Sequence, residues 1–416
     1  MTTANNDVVV TGIGLNTALG ESALTTWDRL MAGESAIALR QPFLDLAPGP
    51  LAMGGKSPVD LQLLTTQLAK AAWLDADSPG AGVDCGVVVG SSRSHLQTWE
   101  AMGRSHRTGE VKGDWLSALA HGPALSVAQT VDARGPLLAP MAACATGVWA
   151  IAQGADLIRT GQCSRVIAGA VESPITRLTL AGFRKMGALA STGCYPFDVG
   201  REGFVLGEGG ALMVLESATV AAARGAQVYG KVLGVGLTND SHHVSSFDPS
   251  YRMGKRAVAL CLARSGLTAG DVDAVHTHGT STVQNDRMEA RLIAEMLRDR
   301  LPVMASKGAT GHTLGASGAV IVALSLLSLQ RQALVPCVGL RTADFDLAFV
   351  REGRAAALRN LLCFSFGFGG QNAVLALGRV SSVRKGVGQE AESYGAVSGA
   401  LPVSEKADLL STRADL

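Results

Sequence analysis

One cysteine and two histidines hold the chemistry legible in this chain of 416 residues: Cys144, His278 and His312. Cys144 stands in Met141-Ala-Ala-Cys-Ala-Thr-Gly147, where an apolar approach meets small residues and then a helix. A cysteine at a helix N-terminus faces the positive end of the dipole and free backbone N–H groups, both of which favour thiolate. From an ordinary pKa of about 8.5, the dipole's roughly 0.3–2 kcal/mol predicts a thiol lowered by about one unit. Such a thiol attacks a thioester; the bland alternative is a buried structural cysteine.

His278 lies in Val275-His-Thr-His-Gly-Thr-Ser-Thr-Val-Gln-Asn-Asp286, directly after an apolar strand, where open α/β sheets place their sites. Thr280 and Thr282 offer hydroxyls to an amide-bearing ligand, while Asp286 and Glu289 hold the loop or cap the next helix. His276, in the same stretch, is assigned to structure. His312 lies in Ser306-Lys-Gly-Ala-Thr-Gly-His-Thr-Leu-Gly-Ala-Ser-Gly318, which opens an apolar helix. Its lysine precedes the glycines, so it is not a phosphate loop. Gly12-Ile-Gly14 follows a strand but has Thr17 where a third glycine belongs, which excludes a dinucleotide fingerprint. His242, His243, His276 and His278 lack carboxylate or thiolate company at ligand spacing, so no metal site is expected. A thiolate that takes an acyl group and two neutral imidazoles that polarise a thioester carbonyl are what carbanion-type acyl chemistry needs.

The elements that must position these groups follow an α/β alternation. Val8–Thr11 and Gly86–Val89 are short, β-branched, glycine-bounded runs typical of buried parallel strands. Further strands are expected at Arg165–Ala168, Ala211–Leu215, Gly230–Leu237, Ala274–Thr277, Leu361–Ser365 and Ala373–Leu377. Helices are expected at Ala145–Arg159 and Arg252–Arg264, each closed by a glycine. Glycine clusters beside Gly203–Leu215 and Phe364–Leu377 suggest a hairpin-like pair ending each half, and hence a duplicated fold. Residues 381–416 turn polar and small, with no strong period, and are expected to form a tail.

Composition bounds the rest. Hydrophobic residues make up 47% and charged ones 17%, enough for a large core in two or three domain-sized units. Lys plus Arg, 36, nearly balance Asp plus Glu, 35, so no global field favours nucleic acid or an anionic membrane. The start, MTTANNDVVVTG, lacks a basic and apolar leader, which argues against secretion. The longest apolar stretch, Ala319 to Leu329, is too short to span a bilayer. Seven scattered cysteines without a CxxC pair resemble neither a disulfide framework nor a zinc site, and suit a reducing cytoplasm.

Taken with Pro196-Phe-Asp-Val-Gly-Arg-Glu-Gly-Phe-Val-Leu-Gly-Glu-Gly209, Lys307-x-x-x-Gly-His312 and Ser365-Phe-Gly-Phe-Gly-Gly370, these motifs resemble the elongating β-ketoacyl-acyl-carrier-protein synthases. These are the ketosynthases of I/II type in the thiolase superfamily, and the likeness covers about residues 7–380. It implies a five-layered αβαβα thiolase fold of two similar halves, 1–230 with the nucleophile and 231–380 with the histidines. It implies decarboxylative Claisen condensation of an acyl chain on Cys144 with a malonyl unit on acyl carrier protein, in fatty-acid or polyketide-like synthesis. His278 and His312 become the decarboxylation pair and Lys307 a supporting cation. Backbone N–H groups of Cys144 and Phe368 form the oxyanion hole, Phe368 gates malonyl access, and Thr280, Thr282 and Phe366 touch substrate. The partners implied are acyl carrier protein, malonyl and acyl thioesters and a second copy of the chain. No cofactor is implied, since phosphopantetheine arrives on the carrier.

The likeness has departures. Nine residues past His312 the family's fatty-acid members carry a glutamate beside the lysine, but this chain has Ile321. A buried Lys307 must then find another partner or shift downward. Residues 40–85 lack the basic helix that meets the carrier, and Arg184 with Lys185 is the substitute the sequence offers. A second reading is a catalytically weak partner subunit of a heterodimer, of the chain-length-factor kind. The intact Cys-His-His set argues against it.

Overall fold

In the computed structural model, which describes residues 7–78, 82, 84–107 and 115–380, strands and helices alternate. The first half contains β1 (Val8–Thr17), β2 (Ile37–Arg40), β3 (Gly49–Ala52), β4 (Cys85–Gly90), β5 (Leu137–Leu138), β6 (Arg165–Glu172) and β7 (Gly209–Ser217). The second contains β8 (Gly230–Asn239), β9 (Ala274–His276), β10 (Pro302–Met304), β11 (Ala333–Leu334), β12 (Ala348–Phe349), β13 (Arg354–Ala355), β14 (Asn360–Gly367) and β15 (Gln371–Gly378). The helices are α1 (Ala23–Met31), α2 (Leu61–Asp75), α3 (Leu96–Arg107), α4 (Gly122–Val131), α5 (Thr146–Arg159), α6 (Arg177–Lys185) and α7 (Ala218–Ala223). They continue as α8 (Arg252–Ser265), α9 (Val283–Met296), α10 (Lys307–Thr310) and α11 (Ser317–Arg331). The tail expected over 381–416 lies outside the described residues.

One strand order occurs twice. Counted among the five strands of each run, β1-β7-β6-β4-β5 and β8-β15-β14-β9-β10 both stand in the order first, fifth, fourth, second, third. The pairing senses match too: the first strand is antiparallel to the fifth, the fifth to the fourth, and the rest are parallel. The runs join where Val8–Val10 pair with Gly230–Val232. The fourth and fifth strands of the second half form a true hairpin around Gly367 and Gln371. In the first half β6 and β7 pair over their whole length but are separated by the excursion 173–208. Gly203–Leu215 is therefore not itself a hairpin.

Strands buried on both faces feed different cores with alternate residues. In β6, Val166, Ala168 and Ala170 enter the central core, while Ile167 and Val171 enter an outer one with α2 and α4. In β14, Leu361 and Cys363 face the centre, and Leu362, Phe364 and Phe366 face an outer core with α8 and α9. The central core is built on α5 and α11, each of which packs against strands of both halves. The order helix, sheet, helix, sheet, helix is the five-layered αβαβα thiolase fold.

Two expectations change. β1 runs for ten residues rather than four and is antiparallel to both neighbours. Its glycines do not end it: a Cβ on Gly12 would lie 2.3 Å from Ala72 O, and one on Gly14 2.2 Å from Leu68 O. They let α2 lie directly on the strand. The apolar run that looked too short for a bilayer extends, as helical structure, over Leu314–Arg331, and by length and composition it could cross one. It is instead the buried centre of the fold, with every residue from Ser317 to Leu329 enclosed.

Candidate active site

Cys144 sits on a sharp turn before α5. Ala143 has φ +47°, a left-handed conformation that costs a residue with a Cβ and persists only where its surroundings enforce it. Thr146 enforces it, accepting from Ala142 N at 2.9 Å and donating to Ala143 O at 2.6 Å. Ser365 Oγ donates to Cys144 O at 3.0 Å, tying the turn to β14. Just inside α5, Gly147 lets α11 approach so closely that a Cβ there would lie 2.4 Å from Ala319 N. The small residues around Cys144 and after His312 are the contact between the two central helices.

His278 follows β9 and is 2% exposed. Its backbone N–H and that of Gly279 donate to the two oxygens of Glu289, each at 2.6 Å, and Asn285 Nδ2 adds a third donor at 2.7 Å. Asp286 accepts from Phe197 N at 2.7 Å and Ser281 N at 3.2 Å. Both acids hold the loop. Lys307 Nζ donates to His278 O and stands 3.2 Å from His278 Nδ1. An ammonium can only donate, so Nδ1 accepts and the imidazole proton sits on Nε2. His276 is fully buried and bonded to Ser325 and Ser306 Oγ at 3.0 and 3.1 Å. It is structural, though enclosed rather than solvated.

His312 is anchored by its N–H to Val205 O at 2.7 Å and by Nδ1 to Ser317 Oγ at 2.7 Å. Its ring meets Phe204 edge-on at 5.2 Å and His278 at 5.2 Å. The Cys144 sulfur and one ring nitrogen from each of His278 and His312 lie within 4.8 Å of one another. Three such donors could hold a metal ion by distance alone. The Lys307 ammonium beside His278 opposes a divalent cation there.

The three side chains share a pocket of about 390 Å³ with Thr280, Thr282, Phe366 and Phe368. Thr280 and Thr282 hydroxyls lie 3.0 Å apart, and Thr282 also caps α9 by accepting from Asn285 N at 3.3 Å. Phe366 is buried with its ring 6.4 Å from His278, and Phe368 lies 6.2 Å from Phe183. Arg184 and Lys185 are outside this pocket, exposed on the last turn of α6.

The electrostatics overturn one expectation. Burial pushes the Cys144 thiol up to about 11, outweighing the pull of Lys307, Arg93 and the Phe368 N–H. The turn makes α5 begin at Thr146, and the core around the sulfur costs a thiolate more than the dipole returns. Burial drives both imidazoles well below the usual histidine range, helped by Lys307 and, for His278, by His312. Burial also lowers Lys307, while the nearby Glu289 carboxylate resists that fall. With Ile321 buried in the central core, Glu289 and the two acceptors on His278 take the place of the missing acid.

Sequence reading passed over Glu172. It ends the apolar β6, fully buried, and Oε1 accepts from Ser92 N, from Ser92 Oγ at 2.6 Å and from Arg93 N at 3.2 Å. Ser92 Oγ accepts in turn from Gly315 N at 3.2 Å, joining this loop to the one that carries His312. Burial raises Glu172 to about 7, and its Oε2 has no partner among the described residues. An acid closing an otherwise apolar strand was the available signal.

Comparison with known proteins agrees with this geometry. The family model "Beta-ketoacyl synthase, N-terminal domain" matches residues 55–221, and "Beta-ketoacyl synthase, C-terminal domain" matches residues 229–341. The chain is 34% identical over 404 residues to 3-oxoacyl-[acyl-carrier-protein] synthase 2 of Mycobacterium tuberculosis H37Rv, covering 89% of this chain and 97% of that one. It is 31% identical over 409 residues to the Staphylococcus aureus COL protein of the same name, covering 89% and 98%. Among solved structures, a β-ketoacyl synthase from Burkholderia phymatum STM815 superposes with a TM-score of 0.82 at 28% identity, over 90% of this chain and all (100%) of that one. A ketosynthase solved with its type II polyketide acyl-carrier protein shares the fold, with a TM-score of 0.85 at 24% identity over 91% and 100%. Motif, fold and likeness converge: the chain belongs to the β-ketoacyl synthase family, as an acyltransferase of its elongating kind.

Proposed function

We propose that the chain extends an acyl group held on Cys144 by decarboxylative condensation with a malonyl unit presented on acyl carrier protein. The observation that carries this is the approach of the Cys144 sulfur and the His278 and His312 nitrogens to within 4.8 Å in one pocket. The resting thiol is protonated, so acyl transfer needs a base in contact, and the imidazoles are the nearest. The sulfur attacks the acyl thioester, the thiol proton leaves through imidazole, and the carrier thiol departs. Malonyl carrier then loses CO2, and its electron pair passes to the thioester oxygen, held by imidazole N–H donors. The resulting enolate carbon attacks the acyl carbonyl on Cys144, the oxyanion rests on the Cys144 and Phe368 N–H groups, and thiolate is expelled.

Lys307 keeps His278 in the donating tautomer, Phe366 and Phe368 wall the malonyl side, and Thr280 and Thr282 bind the amide-bearing arm. Phosphopantetheine comes with the carrier, and the protein supplies no cofactor. Residues 1–230 and 231–380 serve as nucleophile and activating halves. Pairing with a second copy of the chain, in the cytoplasm, is supported by the short edge strand β5, whose Leu137 and Leu138 are 36% and 39% exposed beside Met141 at 70%. Arg184 and Lys185 receive the acidic carrier. The test is to incubate the protein with carrier-bound acyl chains of graded length and find which loads Cys144 by intact mass. No loading at any length, with the fold intact, would leave the weak partner-subunit reading in its place.

A further inference from the structure

A second cavity of about 450 Å³ opens between the β2–β3 arm and α6, within the size range of small-molecule sites. Its floor is apolar: Phe43, Leu46, Leu51, Leu180 and Leu189 belong to the same apolar cluster as Cys144. Its rim carries two guanidinium groups, Arg40 and Arg184, and no acid lines it among the described residues. The arm's acid, Asp45, is already held by Arg177 Nε through both oxygens, at 3.1 and 3.0 Å. Arg40 Nε is buried and has no hydrogen-bond partner among the described residues. The ligand-facing feature is the pair of guanidinium groups on the rim, which bind a carboxylate through charge-assisted bonds.

The arm is stiff. Pro42 and Pro48 restrict the turn, Arg40 pairs with Gly49 across the hairpin, and Gln41 Nε2 donates to Leu46 O at 3.0 Å. The backbone that carries Arg40 is therefore held in advance, which lowers the cost of binding. The segment 186–191 divides the two cavities: Met186 to Ala188 line the catalytic pocket, and Leu189 to Ser191 line this one.

We infer that this second cavity binds an amphipathic carboxylate, its head on Arg40 and Arg184 and its hydrocarbon on the Phe43–Leu180–Leu189 floor. The site holds no residue of the Cys144–His278–His312 pocket, and it shares only Arg184 with the proposed carrier-docking face. The test is calorimetric titration of octanoate into the full chain, alongside octanol and inorganic phosphate. Saturable octanoate binding at one site per chain is expected, weakened tenfold or more in Arg40→Gln and less in Arg40→Lys. Octanol should bind at least tenfold more weakly than octanoate, and phosphate should not saturate. Acylation of Cys144 at the wild-type rate in both variants shows that they fold. Unchanged octanoate affinity in Arg40→Gln, equal binding of octanol, or phosphate binding as tight as octanoate would each overturn the assignment.

Discussion

The two halves share strand order, pairing sense and helix placement, and both hold the loop after their second strand in the same way. After β4, a buried glutamate, Glu172, gathers the backbone N–H groups of Ser92 and Arg93. After β9, Glu289 gathers those of His278 and Gly279. The difference lies in what stands opposite. Glu289 lies in the field of Lys307, which itself reaches His278 by two contacts, whereas Glu172 lies in the field of Arg93 and keeps one oxygen without a partner among the described residues. The same anchoring of a loop carries an imidazole in only one half, where a lysine sits against it. The central helices diverge in parallel, α5 beginning after Cys144 and α11 after His312.

If the first half carries the acyl group and the second activates malonate, lending acyl transfer no more than a base, the two can be broken apart. Cys144→Ala should abolish acyl loading and condensation while malonyl decarboxylation stays measurable, read as intact mass and CO2 release. Loading equal to wild type would collapse the division. His278→Ala and His312→Ala should each slow decarboxylation roughly a hundredfold or more, the size expected for losing one oxyanion donor, with a smaller effect on Cys144 acylation. A normal decarboxylation rate in either variant would remove that histidine from the activating half.

The thiol offers a pH test. With Cys144 held up to about 11, its alkylation by iodoacetamide should be slow at pH 7 and rise roughly tenfold per pH unit through pH 9, as the thiolate fraction grows. The sign follows from the raised value: the reactive form is gained as pH rises. A plateau by pH 8 would mean that the dipole has won over burial. Five other cysteines, Cys85, Cys194, Cys261, Cys337 and Cys363, are buried and pushed up to about 12, so peptide mapping should find label on Cys144 before these five, while Cys163, raised less by burial, is the one to follow beside it.

Much of this was legible from residues alone. The loops of Cys144, His278 and His312 announce themselves by small and hydroxyl residues between apolar runs, while Lys307 entered only through the family resemblance. The thiol's charge state was not legible, because it depends on how deeply residues far along the chain, among them Leu51, Phe183, Phe204 and Leu314, bury the sulfur. Gly12 and Gly14 read as strand limits because nothing local shows that a helix lies across them. β9 was expected at Ala274–Thr277, but β5 and β10, two and three residues long, are too short to display a period and were not legible. Arg40 drew no notice, since an arginine on a short strand gains meaning only from the cavity beneath it.

The smallest expected effect concerns the first half's outer face. On α6, Phe183 points into the apolar cluster with Cys144, while Arg184 and Lys185 stand exposed in the last turn. Cations there are favoured by the helix C-terminus, so Lys185→Glu gives up a few tenths of a kcal/mol of helix stability and reverses a charge facing solvent. If an acidic carrier docks on this face, its KM should rise about two- to tenfold at low salt, and the difference should shrink as ionic strength shortens the screening length to about 10 Å at 0.1 M. kcat should hardly move, because no catalytic distance depends on Lys185. The carrier must dock to deliver both acyl and malonyl units, so acylation and decarboxylation should suffer by the same factor. That separates docking from chemistry: a variant that slowed only one reaction would be acting inside the pocket. An unchanged KM in both would move the docking face elsewhere on the molecule.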